Sequence, residues 1–269
     1  MRRLVFWGLC AAGYLGMAGG AAAAEVVPLP AAHAHNDYEH ARPLLDALER
    51  GFGQVEADVH LVGGELLVAH DAKDVRPGRT LTALYLDPLR ARAKANGGRV
   101  YRGGPTLTLL VDVKTEAKTT YAALDAVLRT YAELLTEFRG GAMTERAVTV
   151  VVSGNRATAD IAAQSVRFAA VDGRSVDLES AAPPTLVPWI SENWKKIFAW
   201  HWEGPMPEAE RLALGHWVAR AHAQGRKVRF WNTPDRPEAW RVLRAAGVDV
   251  IGTDDLAGLA AFLRAETAR

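Results

Sequence analysis

Cysteine is nearly absent from this chain of 269 residues, which contains only Cys10. One thiol cannot form an internal disulfide, so the class of small disulfide-stapled domains is excluded. An excess of charge of one sign is also lacking, because 32 basic residues face 31 acidic ones and the formal net charge is +1. We therefore expect no nucleic acid or other polyanion as a partner.

Long apolar runs are missing after Ala24, where none reaches the length of about 18 residues that a membrane-spanning helix needs. The start of the chain is different: Arg2 and Arg3 precede an apolar stretch, and small residues follow it up to Ala24. This pattern predicts a signal peptide over residues 1–24, with an uncleaved membrane anchor as the alternative. Export without disulfides predicts a bacterial periplasmic or secreted protein with no stable membrane span after cleavage.

The rest of the chain, residues 25–269, is predicted to form a single domain, since a hydrophobic content of 49% can fill one large core. Strand-like segments alternate with helical ones, which is typical of a parallel sheet. The number of strands favours a closed α/β barrel of the TIM type over an open sheet. Strands are predicted near 31–36, 54–60, 65–70, 106–113, 147–153, 167–172, 186–191, 227–232 and 248–252, and helices near 42–50, 119–138, 156–165, 207–224, 235–246 and 255–266.

One predicted strand contains Glu56 and Asp58 and is separated from the next only by Gly63 and Gly64. So short a turn has no room for a crossover helix, so the pair predicts a β-hairpin near the active face. Side chains alternate along a strand, so the two acids share one face. A turn centred on Gly63 would place His70 opposite Glu56 and gather two carboxylates and a histidine into one patch.

Three carboxylates are candidate metal ligands: Glu56, Asp58 and Asp112, the last of which ends the apolar run 106–111. Two acids on one strand face repel each other unless an arginine or a metal cation lies between them. Three carboxylates without cysteine favour a hard ion, so we predict one divalent cation, Mg²⁺ or Ca²⁺. An aspartate at the carboxyl end of a strand also indicates the active face of a barrel. A surface set of ion pairs is the alternative.

Two histidines, His35 and His70, are the candidate acid and base, because each lies at a predicted strand end near an acid. Cleavage of a phosphate diester needs a base for the nucleophile and an acid for the leaving alcohol, and imidazole serves either purpose near neutral pH. We predict His35 as the base and His70 as the acid. His33 is interpreted as a supporting or structural residue.

The remaining candidates are substrate contacts. Lys114 shares a strand face with Asp112, where a metal would repel it unless an anion such as phosphate were also present. Trp231 lies at a strand end and is predicted to wall the pocket, while the irregular segment 72–105 is interpreted as a flap on the substrate side. The predicted substrate contacts are Lys114, Asn36, Arg229 and Trp231.

The order His35…Glu56-x-Asp58…His70-Asp71…Asp112-x-Lys114 resembles that of the superfamily of glycerophosphodiester phosphodiesterases and phosphatidylinositol phospholipases C. The segments HNDY, PLLDAL, VEADV and LLVAHD, and later VRFWNTPD and GVDVIGTDDL, are similar to the altered-inheritance-of-mitochondria-six-like subgroup. The resemblance spans residues 31–264, which is nearly the whole predicted domain.

The resemblance implies a distorted TIM-type barrel with one bound Mg²⁺ or Ca²⁺ and two catalytic histidines, whose positions His35 and His70 match. It assigns the metal to Glu56, Asp58 and Asp112, with Asp112 standing where typical glycerophosphodiesterases carry glutamate. Lys114 matches a basic residue near the phosphate.

The chain departs from the typical pattern after His35, where Asn36 and Asp37 replace the usual Arg-Gly. The usual Glu-Asn-Thr element of the first loop is absent as well. These departures leave the head group open, whereas the residues for phosphate chemistry are present.

The predicted function is a metal-dependent phosphoric diester hydrolase that acts on a small-molecule or lipid diester of the glycerophosphodiester or phospholipid type. Hydrolysis and cyclising transfer are both compatible with these residues. One rival hypothesis is a zinc hydrolase resembling amidohydrolases, with His33, His35 and Asp254 as ligands. The other is a non-catalytic module that binds phosphoryl head groups.

Overall fold

A parallel sheet that closes on itself forms the centre of the molecule, as described by a computed structural model for residues 26–267. The predicted signal peptide, residues 1–24, lies outside the described residues, so that segment and the domain start at residue 25 stay predictions. The described strands are β1 (Leu29–Ala34), β2 (Phe52–Val62), β3 (Glu65–Val68), β4 (Leu107–Val113), β5 (Glu137–Arg139), β6 (Ala142–Thr144), β7 (Val148–Gly154), β8 (Val166–Arg167), β9 (Ala169–Gly173), β10 (Trp189–Asn193), β11 (Lys227–Trp231) and β12 (Val250–Thr253).

The barrel follows the order β1-β2-β4-β7-β9-β10-β11-β12, and β12 returns to pair with β1. All these neighbours run parallel, and the prediction of a closed TIM-type barrel is confirmed. Helices connect the strands on the outside: α1 (Leu45–Glu49), α2 (Asp87–Ala95), α3 (Ala117–Arg129), α4 (Thr158–Ala163), α5 (Trp194–Ile197), α6 (Glu208–Ala223), α7 (Pro237–Ala245) and α8 (Leu256–Thr267). None of the helices in residues 26–267 is long and apolar enough to cross a membrane.

Two buried clusters hold the barrel together. The interior cluster consists of inward-facing side chains from the strands, including Leu110, Val151 and Trp189. The larger cluster lies between the strands and the helices, where Trp194 and Trp240 are among the largest fully buried side chains. Buried polar side chains, among them His33, Glu56 and Arg229, lie along the same strands as these apolar residues.

The helix predicted over 119–138 ends early, and its last two residues lie instead in β5, which forms a small antiparallel sheet with β6 and β8. The helix α3 ends at Arg129 instead. Gly140 and Gly141 have φ angles of 57° and 83° and form the tight turn between β5 and β6. Phe138 of β5 joins the interior cluster of the barrel, so burial of this ring favours the strand over a longer helix.

The predicted β-hairpin is present as β2 and β3, but its register differs by one residue from the prediction. Val59 pairs with Val68, because the turn is centred between Gly63 and Gly64 rather than on Gly63. Both glycines have positive φ angles, as a two-residue hairpin turn requires. His70 therefore follows the residue opposite Asp58, and the prediction that it lies opposite Glu56 is wrong.

The segment 72–105, interpreted from the sequence as a flap, packs for most of its length against the barrel. It contains a π-helical turn over Thr82–Leu86 followed by α2. Leu81, Tyr85 and Leu89 are fully buried, which a substrate-side flap would not permit. The flap interpretation is therefore wrong for the greater part of the segment, which is the outer-layer connection from β3 to β4.

Candidate active site

The parallel register brings the predicted metal ligands together at one end of the barrel. Asp58 of β2 is the register partner of Asp112 of β4, and Glu56 lies two residues earlier on the same face of β2. Each of the three carboxylates offers one oxygen, and these oxygens lie within 4.8 Å of one another. Within the described residues, no second group of His, Cys, Asp and Glu side chains meets this spacing.

The donor set fits a hard divalent cation. Glu56 is 5% exposed and Asp58 is 1% exposed, so both carboxylates are withdrawn from water. Oδ1 of Asp58 is buried and has no hydrogen-bond partner among residues 26–267. A buried carboxylate oxygen without a donor is unusual, and a cation held by three carboxylates would satisfy it.

Positive side chains already contact these acids. Nζ of Lys114 lies 2.9 Å from Oδ2 of Asp58 and 2.9 Å from Oδ1 of Asp112. Nη2 of Arg229 lies 2.9 Å from Oε2 of Glu56. The arginine that the sequence offered as an alternative to a cation is thus present, but three carboxylates and two basic groups leave one net negative charge.

The pKa values of the two acids on β2 are shifted in opposite directions. Burial disfavours the ionised form of Glu56, yet Arg229 and the hydrogen bond from His33 hold the pKa of this carboxyl well below its ordinary value. Burial and the neighbouring charge of Glu56 raise the pKa of Asp58, although Lys114 acts in the opposite sense. An additional positive charge beside Asp58 would therefore stabilise the ionised cluster.

His33 supports Glu56 from inside the barrel. Its Nε2 lies 2.8 Å from Oε2 of Glu56, and its ring is fully buried against Trp189. Burial and the nearby Arg229 lower the pKa of His33 to about 4, so the ring is neutral at pH 7 and donates from Nε2. The interpretation of His33 as a supporting residue agrees with these contacts.

His35 is held by a residue that the sequence did not assign to the phosphodiesterase site, Asp254. Nδ1 of His35 lies 2.8 Å from Oδ1 of Asp254. A carboxylate only accepts hydrogen bonds, so Nδ1 carries the proton and Nε2 of the neutral ring is a free base. Burial lowers the pKa of His35, but the hydrogen bond that Nδ1 donates to Asp254 and the charge of Glu56 outweigh it, so the net shift is upward.

His70 contacts the carboxylate cluster directly, through Asp58. Its Nδ1 lies 3.1 Å from Oδ2 of Asp58, which orients the ring in the same way that Asp254 orients His35. The side chain is 56% exposed, so its outer edge faces solvent at the barrel mouth. Both predicted catalytic histidines therefore lie near the predicted metal ligands on β2, His70 in contact with Asp58 and His35 within reach of the charge of Glu56.

Tyr38, which was not a predicted site residue, lies between Asp58, Asn36 and His70 and contacts all three. Its hydroxyl lies 2.7 Å from Oδ2 of Asp58, 2.8 Å from Oδ1 of Asn36 and 3.3 Å from Nδ1 of His70. Asn36 adopts a left-handed conformation, with φ of 47°, and its Nδ2 lies 3.1 Å from Nδ1 of His35. The contacts of Asn36 are thus with protein groups, and its predicted contact with substrate stays a prediction.

Asp254 and Tyr38, the two residues of the site that were not predicted, differ in whether a sequence pattern could have identified them. Asp254 follows β12 directly, so the rule that selected Asp112 at the end of β4 would also have selected it. Tyr38 carries no such signal, because it lies in a single 3-10 turn over Asp37–Glu39 and its partners come from distant segments.

A cleft of about 240 Å³ opens beside His35 and is lined by Arg229, Trp231, Asp235 and Asp254, among others. Trp231 borders this cleft, and its predicted contact with the substrate stays a prediction. Arg229 borders it too, although its guanidinium is also bound to Glu56. A larger depression of about 590 Å³ is lined by α2 and its surroundings and contains none of the site residues.

The zinc hypothesis is not supported by these contacts. The ring of His33 is bound to Glu56 and that of His35 to Asp254, and the acidic cluster that could hold a metal in residues 26–267 includes neither histidine. A set of three carboxylate ligands favours Mg²⁺ or Ca²⁺ over zinc.

Two family models match the chain. Residues 21–170 match an AIM6-like phosphodiesterase domain, and residues 227–257 match the glycerophosphoryl diester phosphodiesterase family. The altered inheritance of mitochondria protein 6 of Eremothecium gossypii is 30% identical over 274 residues, which cover 88% of this chain and 70% of that protein. A homologue of this protein from Arthroderma benhamiae is 27% identical over 261 residues, or 86% of this chain and 82% of that one.

Solved structures share the fold. A glycerophosphodiester phosphodiesterase from Parabacteroides distasonis superposes with a TM-score of 0.53 and 17% identity, over 88% of this chain and 97% of that one. Another from Agrobacterium tumefaciens gives a TM-score of 0.51 and 15% identity, over 90% and 99% of the two chains.

These relatives correct the predicted location. The leader was interpreted as the signal peptide of a bacterial periplasmic or secreted protein, whereas the similar curated proteins come from fungi and carry names that refer to mitochondrial inheritance. They point to a eukaryotic protein, so the prediction of a bacterial exported protein is wrong. The prediction was based on the amino-terminal composition and on the absence of disulfides, neither of which identifies the organism.

Proposed function

The chain belongs to the AIM6-like phosphodiesterase family, and from this premise we propose that it is a metal-dependent phosphoric diester hydrolase. The observation that carries the proposal is the placement of His35 and His70 beside the carboxylate cluster, with His70 bound to Asp58 and His35 close enough to Glu56 for its charge to raise the histidine pKa. Each imidazole is held through Nδ1 by a carboxylate, so each has Nε2 available for proton transfer. The proposed substrate is a small-molecule or lipid phosphodiester.

The charge balance of the site supports a cation and a diester together. With Lys114 and Arg229 in place, the carboxylates leave one net negative charge, which would repel a phosphate diester. A divalent cation reverses the sign of the site, and the single negative charge of the diester then neutralises it. The proposed ligands of the cation are Glu56, Asp58 and Asp112.

His35 is proposed to act as the base. Its free Nε2 accepts the proton of the attacking hydroxyl, from water or from a neighbouring group of the substrate. Asp254 then stabilises the imidazolium that forms, because the hydrogen bond that Nδ1 donates to the carboxylate becomes charge-assisted. The upward shift of the pKa of His35 makes it a stronger base at this position.

His70 is proposed to act as the acid that protonates the leaving alcohol. Its exposed edge allows the alcohol to depart into solvent, while Asp58 holds Nδ1. Tyr38 keeps Asp58 in place through its hydroxyl. Because Asp58 contacts both Lys114 and His70, it couples the metal cluster to the acid.

A bound divalent cation would supply a Lewis acid that polarises a non-bridging phosphate oxygen. Lys114, which lies between two of the carboxylates, is the proposed second contact to the phosphate. Asn36, Arg229 and Trp231 are proposed to contact the rest of the substrate, since two of them line the cleft beside His35.

The test is hydrolysis of a panel of phosphodiesters by the full chain, with Mg²⁺ or Ca²⁺ and with a chelator. We expect activity only with metal, and a loss of about 10²- to 10⁴-fold in kcat for His70→Ala. His222→Ala is a matched control, because His222 also pairs with an aspartate but lies in α6. Full activity of His70→Ala would contradict the mechanism, and phosphorus NMR of the product distinguishes hydrolysis from cyclising transfer.

A second readout does not depend on turnover. The thermal midpoint of the wild-type protein should rise with Mg²⁺ or Ca²⁺, and that of Asp112→Asn should not, because a ligand that binds only the folded state stabilises it. An equal rise in both proteins would exclude the proposed metal site. Binding of a diester without turnover would instead favour the non-catalytic module that binds phosphoryl head groups.

A further inference from the structure

The loop between β1 and α1, residues 35–44, contains two residues with positive φ angles. Asn36 has φ of 47°, and Leu44 has φ of 64° with ψ of −50°. A positive φ is tolerated by asparagine but is unfavourable for a bulky residue such as leucine. Leu44 is also fully buried. Its strained conformation therefore requires surrounding contacts that hold it in place.

Asp37 supplies such a contact from the start of the loop. Its Oδ2 lies 2.5 Å from the backbone N of Leu44 and 2.8 Å from the hydroxyl of Tyr85. Asp37 is 0% exposed, so both groups donate to a carboxylate that water does not reach. A hydrogen bond to an ionised acceptor is about twice as strong as one between neutral groups. Asp37 thus holds the loop closed across seven positions.

The connection from β3 to β4 contacts the same loop from the outer layer of the barrel. Tyr85 belongs to its π-helical turn, Thr82–Leu86, and is fully buried. Nη2 of Arg79, earlier in the same connection, lies 2.7 Å from the backbone O of Tyr38. Two consecutive loop residues, Asp37 and Tyr38, are therefore held by side chains of one connecting segment.

The residues on either side of Asp37 contact the proposed catalytic groups. Asn36 contacts His35, the proposed base. The hydroxyl of Tyr38 contacts Asp58, a proposed metal ligand. Because Asn36, Asp37 and Tyr38 are consecutive, a displacement of Asp37 disturbs both contacts. A shift of about 1 Å at a reacting group can cost about 100-fold in rate, so we expect turnover to depend on how firmly this loop is held.

A carboxyl group at position 37 lowers the stability of the fold above about pH 6. Burial raises the pKa of Asp37 to about 6, and its Oδ1 is buried without a hydrogen-bond partner in the part of the chain that the structure describes. Proteins break the rules of interior packing mainly at functional sites. The charge of Asp37 is therefore better explained by its hold on the loop than by a gain in stability.

We propose that Asp37 and Tyr85 are positioning residues of the proposed reaction, which act through the loop 35–44 on His35 and Asp58. The inference rests on the proposed function, because it concerns the groups that carry that reaction. It gives the connection from β3 to β4 a part in turnover, although Tyr85 is fully buried and does not touch the substrate.

The experiment compares Tyr85→Phe with Tyr101→Phe in the full chain, assayed with Mg²⁺ or Ca²⁺ on the phosphodiester that the wild-type protein hydrolyses fastest. Tyr101 is the matched control, because it is a buried tyrosine of the same connection whose hydroxyl lies 2.8 Å from the backbone O of Phe52, at the start of β2. Both variants should show a similar fall in thermal midpoint, since each loses one buried hydroxyl. Only Tyr85→Phe should lower kcat, by about 3- to 10-fold with little change in KM.

Asp37→Asn gives a second readout, which a purely structural role would not produce. The amide keeps an acceptor oxygen and removes the buried charge, so the thermal midpoint at about pH 8 should equal or exceed that of the wild type. The value of kcat should nevertheless fall about 10-fold. Hydrogen exchange followed by mass spectrometry should be faster over residues 36–44 in Tyr85→Phe and Asp37→Asn, and unchanged there in Tyr101→Phe.

Three outcomes would overturn the inference and leave the proposed function intact. They are a kcat of Tyr85→Phe equal to that of Tyr101→Phe, an unchanged kcat in Asp37→Asn, and wild-type exchange over residues 36–44 in both loop variants. Absence of hydrolysis of the whole diester panel by the wild-type protein with Mg²⁺ or Ca²⁺ would overturn the proposed function and, with it, this inference.

Discussion

His35 depends on Asp254 both for its tautomer and for its affinity for protons. The carboxylate holds Nδ1 at 2.8 Å and favours the imidazolium, which raises the pKa of the ring against the effect of burial. Without that carboxylate, the ring could rotate or adopt the other tautomer, and Nε2 would no longer be defined as the acceptor. Asp254 is therefore a positioning residue for the proposed base.

We predict that Asp254→Asn lowers kcat by about 10²-fold or more, because the amide cannot stabilise the imidazolium. The acidic limb of the pH profile of kcat/KM should also move to lower pH. The sign follows because Asp254 raises the pKa of His35, and a base with a lower pKa stays deprotonated in more acidic solution. The measurement is steady-state kinetics from pH 5 to 9, a range of about four units around the pKa of histidine.

Asp249→Asn is the matched control for this prediction. Asp249 also lies 2.8 Å from a histidine, His222, in a pair that contains none of the proposed catalytic residues. The control should lose some stability and keep the wild-type profile. A profile of Asp254→Asn with an unmoved acidic limb would show that His35 is not the group that titrates there.

At the scale of elements, the end of β7 leaves room for Asp112 of β4, a proposed metal ligand. Gly154 has φ of 67°, and a Cβ atom at this position would collide with Oδ1 of Asp112 and the backbone of Val113. The register pairs Gly154 directly with Val113. Only glycine combines this backbone conformation with this close approach.

We predict that Gly154→Ala destabilises the protein by about 2–4 kcal/mol, from the strained backbone and the collision together. The same change should weaken the rise in thermal midpoint that Mg²⁺ or Ca²⁺ produces, because Asp112 must move.

Gly103→Ala is the control: its φ is 61°, but no atom lies within 4 Å of the added Cβ. The control should lose only about 1 kcal/mol and keep the full metal response. Equal losses in both variants would show that the contact with Asp112 contributes nothing.

At the scale of the whole molecule, two buried groups make the stability depend on pH in opposite directions. Burial raises the pKa of Asp37 to about 6, although Leu44 and Tyr85 donate hydrogen bonds to it. The folded state thus binds this proton more tightly than the unfolded chain, so this contribution is lost as pH rises through about 6. Burial lowers the pKa of His33 to about 4, so its contribution is lost as pH falls towards 4.

We predict that Asp37→Asn removes the loss of stability that Asp37 causes as pH rises. The gain of stability that His33 causes over the same pH range should then be larger in the measurement. The free energy of unfolding of the variant should rise more steeply between pH 4 and 6.5 than that of the wild type, by about 2 kcal/mol of the roughly 3 kcal/mol that Asp37 contributes over its whole titration. The size follows from a pKa change from 3.8 to about 6 at 1.36 kcal/mol per unit. Urea denaturation at a series of pH values, with a chelator present, measures both curves. Parallel curves would show that Asp37 is not the group responsible.

The fold was largely predictable from local patterns. Alternation of strand and helix segments predicted the closed barrel, and the Gly63-Gly64 turn predicted the β-hairpin. The exceptions are segments whose structure depends on burial against a distant surface. Phe138 favours a strand because it reaches the barrel interior, and Leu89 lies in a packed outer helix rather than a flap.

The candidate site likewise has one part that local sequence patterns predicted and another that depends on distant contacts. The sequence by itself determined that Glu56 and Asp58 share a face, because the period of two along a strand is a local property of the backbone. Only the tertiary structure decided which groups meet them: Arg229 reaches Glu56 across 173 positions, and Asp254 reaches His35 across 219. Such pairs exist because β12 closes the barrel against β1, and closure depends on the register of every strand between them.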